Sequence, residues 1–195
     1  MKKYELTAEF IEKWGKKLFR IKALISFGSV EAGELGGYIE KEDNLAHDGN
    51  AWVYGDAEVY GNARVSGNAR VYGNARVSGD AEVSGNAWVY GNAEVSGDAR
   101  VYGDAEVSGN ADYLLIGRIG SRFSFTTFFK NKDKGITVSC GCFLGTIAEF
   151  RAKVTDTHGN NKHAKIYNLA ADMAELQILG EEHFDKLNTN KSESF

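Results

Sequence analysis

Residues 53–112 read VYGDAE VYGNAR VSGNAR VYGNAR VSGDAE VSGNAW VYGNAE VSGDAR VYGDAE VSGNAD, ten consecutive six-residue units with valine first and alanine fifth. An internal repeat this regular takes precedence over local propensity. Across each unit boundary alanine and valine alternate with a charged or aromatic residue, which is typical of a strand with one buried face. Glycine followed by asparagine or aspartate then supplies residues that tolerate left-handed backbone angles at a corner.

The equal spacing of the units predicts a coil rather than an array of hairpins. Every strand has the same inside-outside phase, and every link is equally short. A side of the coil would hold a strand of about four residues and a two-residue corner, and three units would form one turn of 18 residues. We therefore expect a left-handed parallel β-helix over residues 51–112, with about three to four coils stacked about 4.8 Å apart.

The outward side chains support this 18-residue register, because residues 18 apart should stack. The charges alternate in sign along two faces, which read Glu58, Arg76, Glu94 and Arg64, Glu82, Arg100. Alternation prevents like charges from stacking in register, although each exposed ion pair contributes little.

The third face is aromatic. Its two columns read Trp52, Arg70, Trp88, Glu106 and Tyr54, Tyr72, Tyr90, Ser108. Arg70 would lie between two indoles as a cation–π pair. These rings either stabilise the stack alone or pack against another subunit, since Trp and Tyr are enriched in interfaces. We expect a homotrimer whose contact residues are Trp52, Tyr54, Arg70, Tyr72, Trp88 and Tyr90.

The repeat, with valine first and a small residue fifth, resembles the hexapeptide-repeat acyltransferase superfamily over residues 51–112. The resemblance implies a left-handed β-helix, usual trimerisation, a histidine base near a subunit interface and often a loop that interrupts the coils. Here no loop interrupts the units, and no histidine occurs between His47 and His158. An acyltransferase would need one of these two histidines to reach the reacting proton. Acyltransferase activity therefore stays an alternative.

Residues 1–50 are expected to form an N-terminal β cap, because the first coil would otherwise expose an unpaired edge and an open core. Residues 18–27 read as one or two strands, preceded by an amphipathic lead-in with Phe10, Ile11 and Trp14. The stretch from Gly36 to Trp52 also resembles the opening of uncharacterised bacterial β-helix proteins, which are often labelled acetyltransferase from their fold alone. Such labels do not establish function.

After Asp112 the repeat ends. Residues 113–117, 123–130 and 136–140 read as three strands. Thr146 and Glu149 form a capping-box pattern that opens a helix ending at His158, and a second helix is expected over residues 162–179. We expect a mainly β protein with a small α+β unit of βββαα order over residues 113–180, and a disordered tail over residues 181–195.

This C-terminal unit resembles a domain that follows a β-helix in hypothetical proteins of tailed bacteriophages and prophages. The residues that carry the resemblance are Ile119–Arg122, Thr126–Phe128, Cys140–Phe143, Gly145–Thr146, Glu149–Phe150, His158–Asn160 and Tyr167. The resemblance implies a phage context and no particular activity.

Polar side chains at the strand ends of this unit are candidates for one ligand- or partner-binding pocket: Arg122, Thr126, Thr127, Cys140, Cys142 and His158. The cysteines with His158 and His163 could bind a metal, but structural zinc usually needs wider cysteine spacing, so we expect none. A cysteine nucleophile beside His158 would lack a third orienting group. The other interpretation is that the cysteines are packed, buried residues of a strand. Arg122 among phenylalanines could receive a nucleotide or nucleic acid, although a core strand has the same pattern.

The net charge of −4 is unevenly distributed. Nine acidic and four basic residues give −5 over residues 51–112, whereas five acidic and nine basic residues give +4 over residues 113–179. Ordinary solvated surfaces explain this difference, but it also allows an anionic partner for the second half and disfavours nucleic acid for the β-helix. The chain lacks an apolar run of roughly 20 residues and a signal-peptide core, which predicts a cytoplasmic protein without a membrane partner.

These patterns together predict a non-catalytic, phage-type binding or assembly protein without a cofactor. A β-helix trimer would present three C-terminal units to a host protein or a small anionic ligand, for example to inhibit or sequester a component of host defence. The alternatives are the acyltransferase and a structural protein of a virion or filament. Capping at both ends of the coil would disfavour end-to-end stacking.

Overall fold

A computed structural model describes residues 2–182 of the chain. From residue 183 onward the predicted tail therefore lies outside the described residues. The described residues form two compact units, and the division lies between Asn110 and Ala111. The N-terminal segment and the repeat thus belong to the same unit.

The repeat folds as a parallel β-solenoid of about four turns, as expected. The strands of the first unit are β1 (Tyr4–Lys13), β2 (Lys16–Ala23), β3 (Leu35–Ile39), β4 (Trp52–Val53), β5 (Glu58–Val59), β6 (Arg64–Val65), β7 (Arg70–Val71), β8 (Arg76–Val77), β9 (Glu82–Val83), β10 (Trp88–Val89), β11 (Glu94–Val95), β12 (Arg100–Val101) and β13 (Glu106–Val107). Each repeat strand has two residues rather than the expected four. It is short because a glycine with positive φ recurs in every unit from Gly55 to Gly103.

The 18-residue register is confirmed. Glu58 pairs with Arg76, and Arg76 pairs with Glu94. The coils build the stacks β3-β5-β8-β11, β6-β9-β12 and β4-β7-β10-β13. The backbone hydrogen bonds continue through the corners, where the Asn62 amide donates to the Gly79 carbonyl at 2.8 Å. The repeat valines from Val53 to Val107 and the repeat alanines from Ala57 to Ala105 fill the interior and are buried. The expected coil ends before residue 112, because Ala111 of the last unit is exposed in a short 3-10 helix, Asn110–Asp112.

Asparagine side chains form a hydrogen-bonded ladder along one corner of the solenoid. Asn50 Nδ2 donates to Asn68 Oδ1 at 3.1 Å, and Asn68 Nδ2 donates to Asn86 Oδ1 at 3.1 Å. Asn86 Nδ2 then donates to Asp104 Oδ1 at 3.0 Å. The last member is a carboxylate, which suits this position because it only has to accept.

The N-terminal segment is a hairpin followed by a strand that extends one stack. Strands β1 and β2 are antiparallel and meet at Trp14 and Gly15, whose φ angles are 52° and 73°. Strand β3 runs parallel to β5 and places Tyr38 in register with Glu58. The residues of the expected lead-in form a strand and a turn, because Phe10 and Ile11 lie within β1 and Trp14 lies in the turn. A two-residue turn with positive φ angles fits the twist of a hairpin.

Trp14 holds the hairpin turn against the solenoid. Its indole stacks on Tyr60 with a centroid separation of 5.1 Å, and the Arg76 guanidinium lies 5.3 Å from the Trp14 ring. Lys13 adds an ion pair with Glu58. The hairpin is therefore joined to the coils by side chains as well as by β3.

The second unit is an antiparallel sheet with two helices. Its strands are β14 (Tyr113–Ile119), β15 (Ser124–Lys130), β16 (Ile136–Cys140) and β17 (Phe143–Thr146), in spatial order, followed by helices α1 (Ile147–His158) and α2 (Lys162–Leu179). The expected order βββαα is corrected by the fourth strand. Gly141 and Cys142 reverse the chain in a two-residue turn, and β17 is short and contains a glycine.

Both helices occur where the sequence predicts them. Thr146 Oγ1 accepts the Glu149 amide at 3.2 Å, and Glu149 Oε2 accepts the Thr146 amide at 2.8 Å, which confirms the capping box. The core between sheet and helices contains Phe128, Val138, Phe150, Tyr167 and Ala171. Within residues 2–182 no helix has the length and apolar character required to cross a bilayer.

Candidate ligand-binding sites

A cavity of about 320 Å³ opens beside the turn between β16 and β17. We call it the C-terminal cavity. Its lining residues come from the β14–β15 connection, this turn and one face of each helix: Ser121, Arg122, Ser124, Cys140, Gly141, Cys142, Phe143, Phe150, Lys153, Val154, Thr157, His158 and Tyr167.

The structure brings together four of the six predicted pocket residues. Arg122, Cys140, Cys142 and His158 line the C-terminal cavity. Thr126 is buried behind the lining, where its hydroxyl donates to Cys140 Sγ at 3.2 Å. Thr127 is not among the lining residues, because successive residues of β15 point to opposite faces of the sheet.

The lining is basic and contains no carboxylate. Arg122 Nη1 lies over Gly141, where an added Cβ would be 3.5 Å away. Lys153 and His158 lie on the adjoining face of α1, and Lys153 Nζ also contacts Asp156 Oδ2 at 3.1 Å. Sequence reasoning missed Lys153, although its spacing from Phe150 and Thr157 places all three on one helix face.

Aromatic rings form the apolar wall of the cavity. Phe150 contacts Phe143 and Tyr167, with both centroid separations at 5.6 Å. The imidazole of His158 stacks on Tyr167 at 5.8 Å with an interplanar angle of 27°. This wall was not predicted because its rings come from β17 and both helices, which meet only in the folded unit.

Tyr167 is a neutral hydrogen-bonding group at the base of the cavity. Burial raises the pKa of Tyr167, and the Cys140 thiol, which shares a hydrogen bond with it, acts in the same direction. Its hydroxyl lies close to Gly120, where an added Cβ would be 1.9 Å from Oη. Gly120 also has a φ of +71°, so the Tyr167 position requires glycine there.

The two cysteines differ in burial and in the groups that they contact. Cys140 is half-buried at the end of β16, and its sulfur contacts the hydroxyls of Thr126 and Tyr167. Neither hydroxyl is a general base at neutral pH. Cys142 is exposed in the turn. Within residues 2–182, His, Cys, Asp and Glu side chains do not cluster in a group of three or more that could hold a metal.

A second cavity lies on the third face of the solenoid. It measures about 320 Å³ and is lined by Ser29, Tyr54, Arg70, Tyr72 and Trp88. We use the name aromatic surface for Tyr54, Arg70, Tyr72, Trp88 and Tyr90. The Tyr72 and Tyr90 rings stack at 5.0 Å, and the Arg70 guanidinium lies 5.6 Å from the Trp88 ring. Trp88 is 40% exposed, so the surface offers an open indole.

Trp52 does not belong to this surface, and its predicted interface role is corrected. The side chain is fully buried by the N-terminal segment, with centroid separations of 6.1 Å to Tyr4 and 5.4 Å to Phe27. Arg70 therefore has one exposed indole partner, Trp88. The repeat alone could not reveal that residues upstream of it cover the first tryptophan.

His47 is part of the N-terminal packing. Its Nδ1 accepts the Lys3 amide at 3.2 Å, and its ring stacks on Tyr4 at 4.4 Å. Lys3 Nζ donates to the Ala51 carbonyl at 2.9 Å. These contacts tie the start of the chain to the first coil.

A family model matches part of the repeat. The model of the YdcK beta solenoid repeat matches residues 57–71 and 69–85. No curated protein matches this chain. The match supports a β-solenoid repeat in these residues, and it does not extend to the C-terminal cavity.

Proposed function

We propose that the chain is a non-catalytic binding protein whose C-terminal unit takes up a small organic anion. One observation carries the proposal: the C-terminal cavity combines Arg122, Lys153 and His158 with aromatic rings and has no carboxylate in its lining. A guanidinium binds phosphate or carboxylate oxygens in a bidentate manner, and flat rings contact an apolar body. A volume of about 320 Å³ is at the lower end of small-molecule sites.

The solenoid, in this proposal, assembles three copies of the chain through the aromatic surface. Exposed Trp88, the stacked tyrosines and Arg70 support this role, since Trp, Tyr and Arg are enriched in interfaces and in their most important contacts. A trimer would present three C-terminal cavities, which favours capture of a ligand or partner that offers several copies of the same group.

The biological setting that we propose rests on the phage-like and hexapeptide-repeat resemblances. A phage-type protein of this kind would act in the host cytoplasm and inhibit or sequester a component of antiviral defence. An anionic signalling molecule suits the C-terminal cavity better than a host protein does, because the basic groups lie within a concave site of small volume.

Ligand-induced thermal stabilisation of the purified full-length chain tests the binding proposal. The panel is inorganic phosphate, phenyl phosphate, adenosine monophosphate, cyclic di-adenosine monophosphate and acetyl-coenzyme A. We expect ring-bearing anions to raise Tm more than inorganic phosphate does at equal concentration, because only they contact the aromatic wall. A shift with acetyl-coenzyme A alone would favour the acyltransferase instead.

Two variants locate the binding. Arg122→Gln should weaken binding by about tenfold, as expected for one charge-assisted hydrogen-bonding group. Lys162→Gln removes an equal charge at the start of α2, outside the cavity lining, and should leave binding unchanged. No stabilisation by any ring-bearing anion, or an equal effect of both variants, would contradict the proposal.

A further inference from the structure

Helix α2 carries an exposed apolar stripe that belongs neither to the C-terminal cavity nor to the aromatic surface. Leu169, Met173 and Leu176 are 63%, 58% and 46% exposed. Their spacing of four and three residues places them on one helix face. The opposite face, which includes Ala171 and Ala174, lies in the core. A contiguous apolar stripe of this kind typically marks an interaction surface.

Charged residues of opposite sign lie at the two ends of the stripe. Lys162 and Lys165 continue the same face toward the N-terminus and are exposed. Glu181 and Glu182 follow the end of the helix and are also exposed. Lys165 and Glu181 each lie eight residues from Met173, one on either side. From its N-terminal to its C-terminal end the stripe is therefore basic, then apolar, then acidic. A second copy of the stripe that runs in the opposite direction is complementary to it.

We propose that α2 pairs with α2 of a second copy of this chain, antiparallel, about a two-fold axis near Met173. In this arrangement the Leu169 region of each copy packs on the Leu176 region of the other, and Lys165 of each copy approaches Glu181 of the other. A two-fold contact uses the same patch on both chains, as this self-complementary stripe requires.

The charges select the antiparallel orientation. A parallel pair would bring lysines against lysines and glutamates against glutamates, which is unfavourable. Antiparallel pairing also places the positive end of each helix dipole beside the negative end of the other. Three apolar side chains per copy make a small interface, so we expect a dissociation constant on the order of micromolar.

Sedimentation equilibrium of the full-length chain between about 1 and 100 µM brackets this expected affinity. In the Trp88→Glu background, which removes the contact proposed for the solenoid, Leu169→Glu should halve the mass reached at the upper concentration. Leu144→Glu is the matched control, because Leu144 is 50% exposed in β17 and lies off the stripe. Equal masses with and without Leu169→Glu in that background, with native circular dichroism for both, would overturn the proposal.

A charge exchange tests the orientation. Lys165→Glu and Glu181→Lys should each weaken the association by roughly tenfold, because two attractive contacts become repulsive. An equimolar mixture of the two variants should associate like the wild type, since every contact between unlike variants is again attractive. If the mixture associates as weakly as each variant does alone, the antiparallel pairing would be contradicted.

Discussion

Lys3 shows how a single side chain closes the first coil. Its ammonium donates to the carbonyls of Ala51 at 2.9 Å and Gly49 at 3.4 Å, and it lies 4.7 Å from the Phe27 ring. Burial lowers the pKa of Lys3 to about 8, against the opposing effect of Asp48. The sequence gives no sign of this role, because lysine near a chain terminus is ordinarily exposed.

The lowered pKa of Lys3 predicts a pH dependence of stability. Between about pH 8 and the ordinary lysine pKa of 10.5, the unfolded chain holds this proton and the folded chain releases it. The free energy of unfolding should therefore increase with pH in this window. Urea denaturation at pH 7, 8, 9 and 10 should show the wild-type value rising relative to that of Lys3→Met. A constant or falling difference would be inconsistent with a buried ammonium.

Two separate factors favour glycine at the corners of the solenoid: the positive φ angle, and the lack of space for a Cβ at some of the positions. Gly79 and Gly103 have nearly equal φ angles of +68° and +67°. A Cβ added at Gly79 would lie 2.8 Å from the amide nitrogen of Gly97, whereas a Cβ added at Gly103 would meet no such neighbour. We expect Gly103→Ala to cost about 1 kcal/mol from backbone strain, and Gly79→Ala about 2 to 3 kcal/mol. Chemical denaturation measures both costs. Equal losses would show that the coils yield to the added methyl group.

The capping box of α1 is the element that the sequence predicts most completely. The hydroxyl of Thr146 and the carboxylate of Glu149 each accept an amide of the other residue. The amide and the hydroxyl of Thr146 both donate to the Glu149 carboxylate, and these two hydrogen bonds lower the pKa of Glu149. Thr146→Ala should destabilise the second unit by about 1 kcal/mol. Thr155→Ala, an exposed change on the same helix, should have a smaller effect. Thermal unfolding compares them, and equal losses would argue against a cap.

Elements with a strong period were predictable, whereas those defined by their neighbours were not. The 18-residue register of the coils and the bounds of α2 follow from the spacing of apolar residues along the sequence, although each repeat strand is shorter than expected. Strand β17 has no such pattern, and the single apolar–polar alternation from Tyr4 to Phe10 in β1 was not recognised as a strand. Strand β1 is fixed by its pairing with β2 and by Trp14 against Tyr60, and β17 by the turn at Gly141.

At the scale of the whole molecule, the candidate site likewise combines residues that the sequence predicts with residues that it does not predict. Arg122, Cys140, Cys142 and His158 could be named in advance because polar residues at strand ends commonly meet at one edge. The aromatic wall of the C-terminal cavity could not, since Phe143, Phe150 and Tyr167 come from three elements. Trp52 was misplaced for a related reason, because Tyr4 and Phe27 cover it from outside the repeat.

The assembly proposed for the solenoid predicts a defined mass. In the Leu169→Glu background, which removes the α2 contact, we expect three chains per particle. Trp88→Glu should reduce this to one chain, because it places a carboxylate at the centre of the aromatic surface. Trp14→Glu, at a tryptophan outside that surface, should leave three. Multi-angle light scattering measures the masses, and a single-chain particle before Trp88 is changed would exclude the trimer.

The most direct test of the central claim, that the C-terminal cavity binds a small organic anion, is calorimetric titration of the full-length chain with phenyl phosphate. Arg122→Gln and Arg70→Gln form a matched pair, because each arginine lines a cavity of about 320 Å³ that also contains aromatic rings. We predict one site per chain, a dissociation constant about tenfold weaker for Arg122→Gln, and no change for Arg70→Gln. Absence of binding, or loss of binding only in Arg70→Gln, would contradict the account.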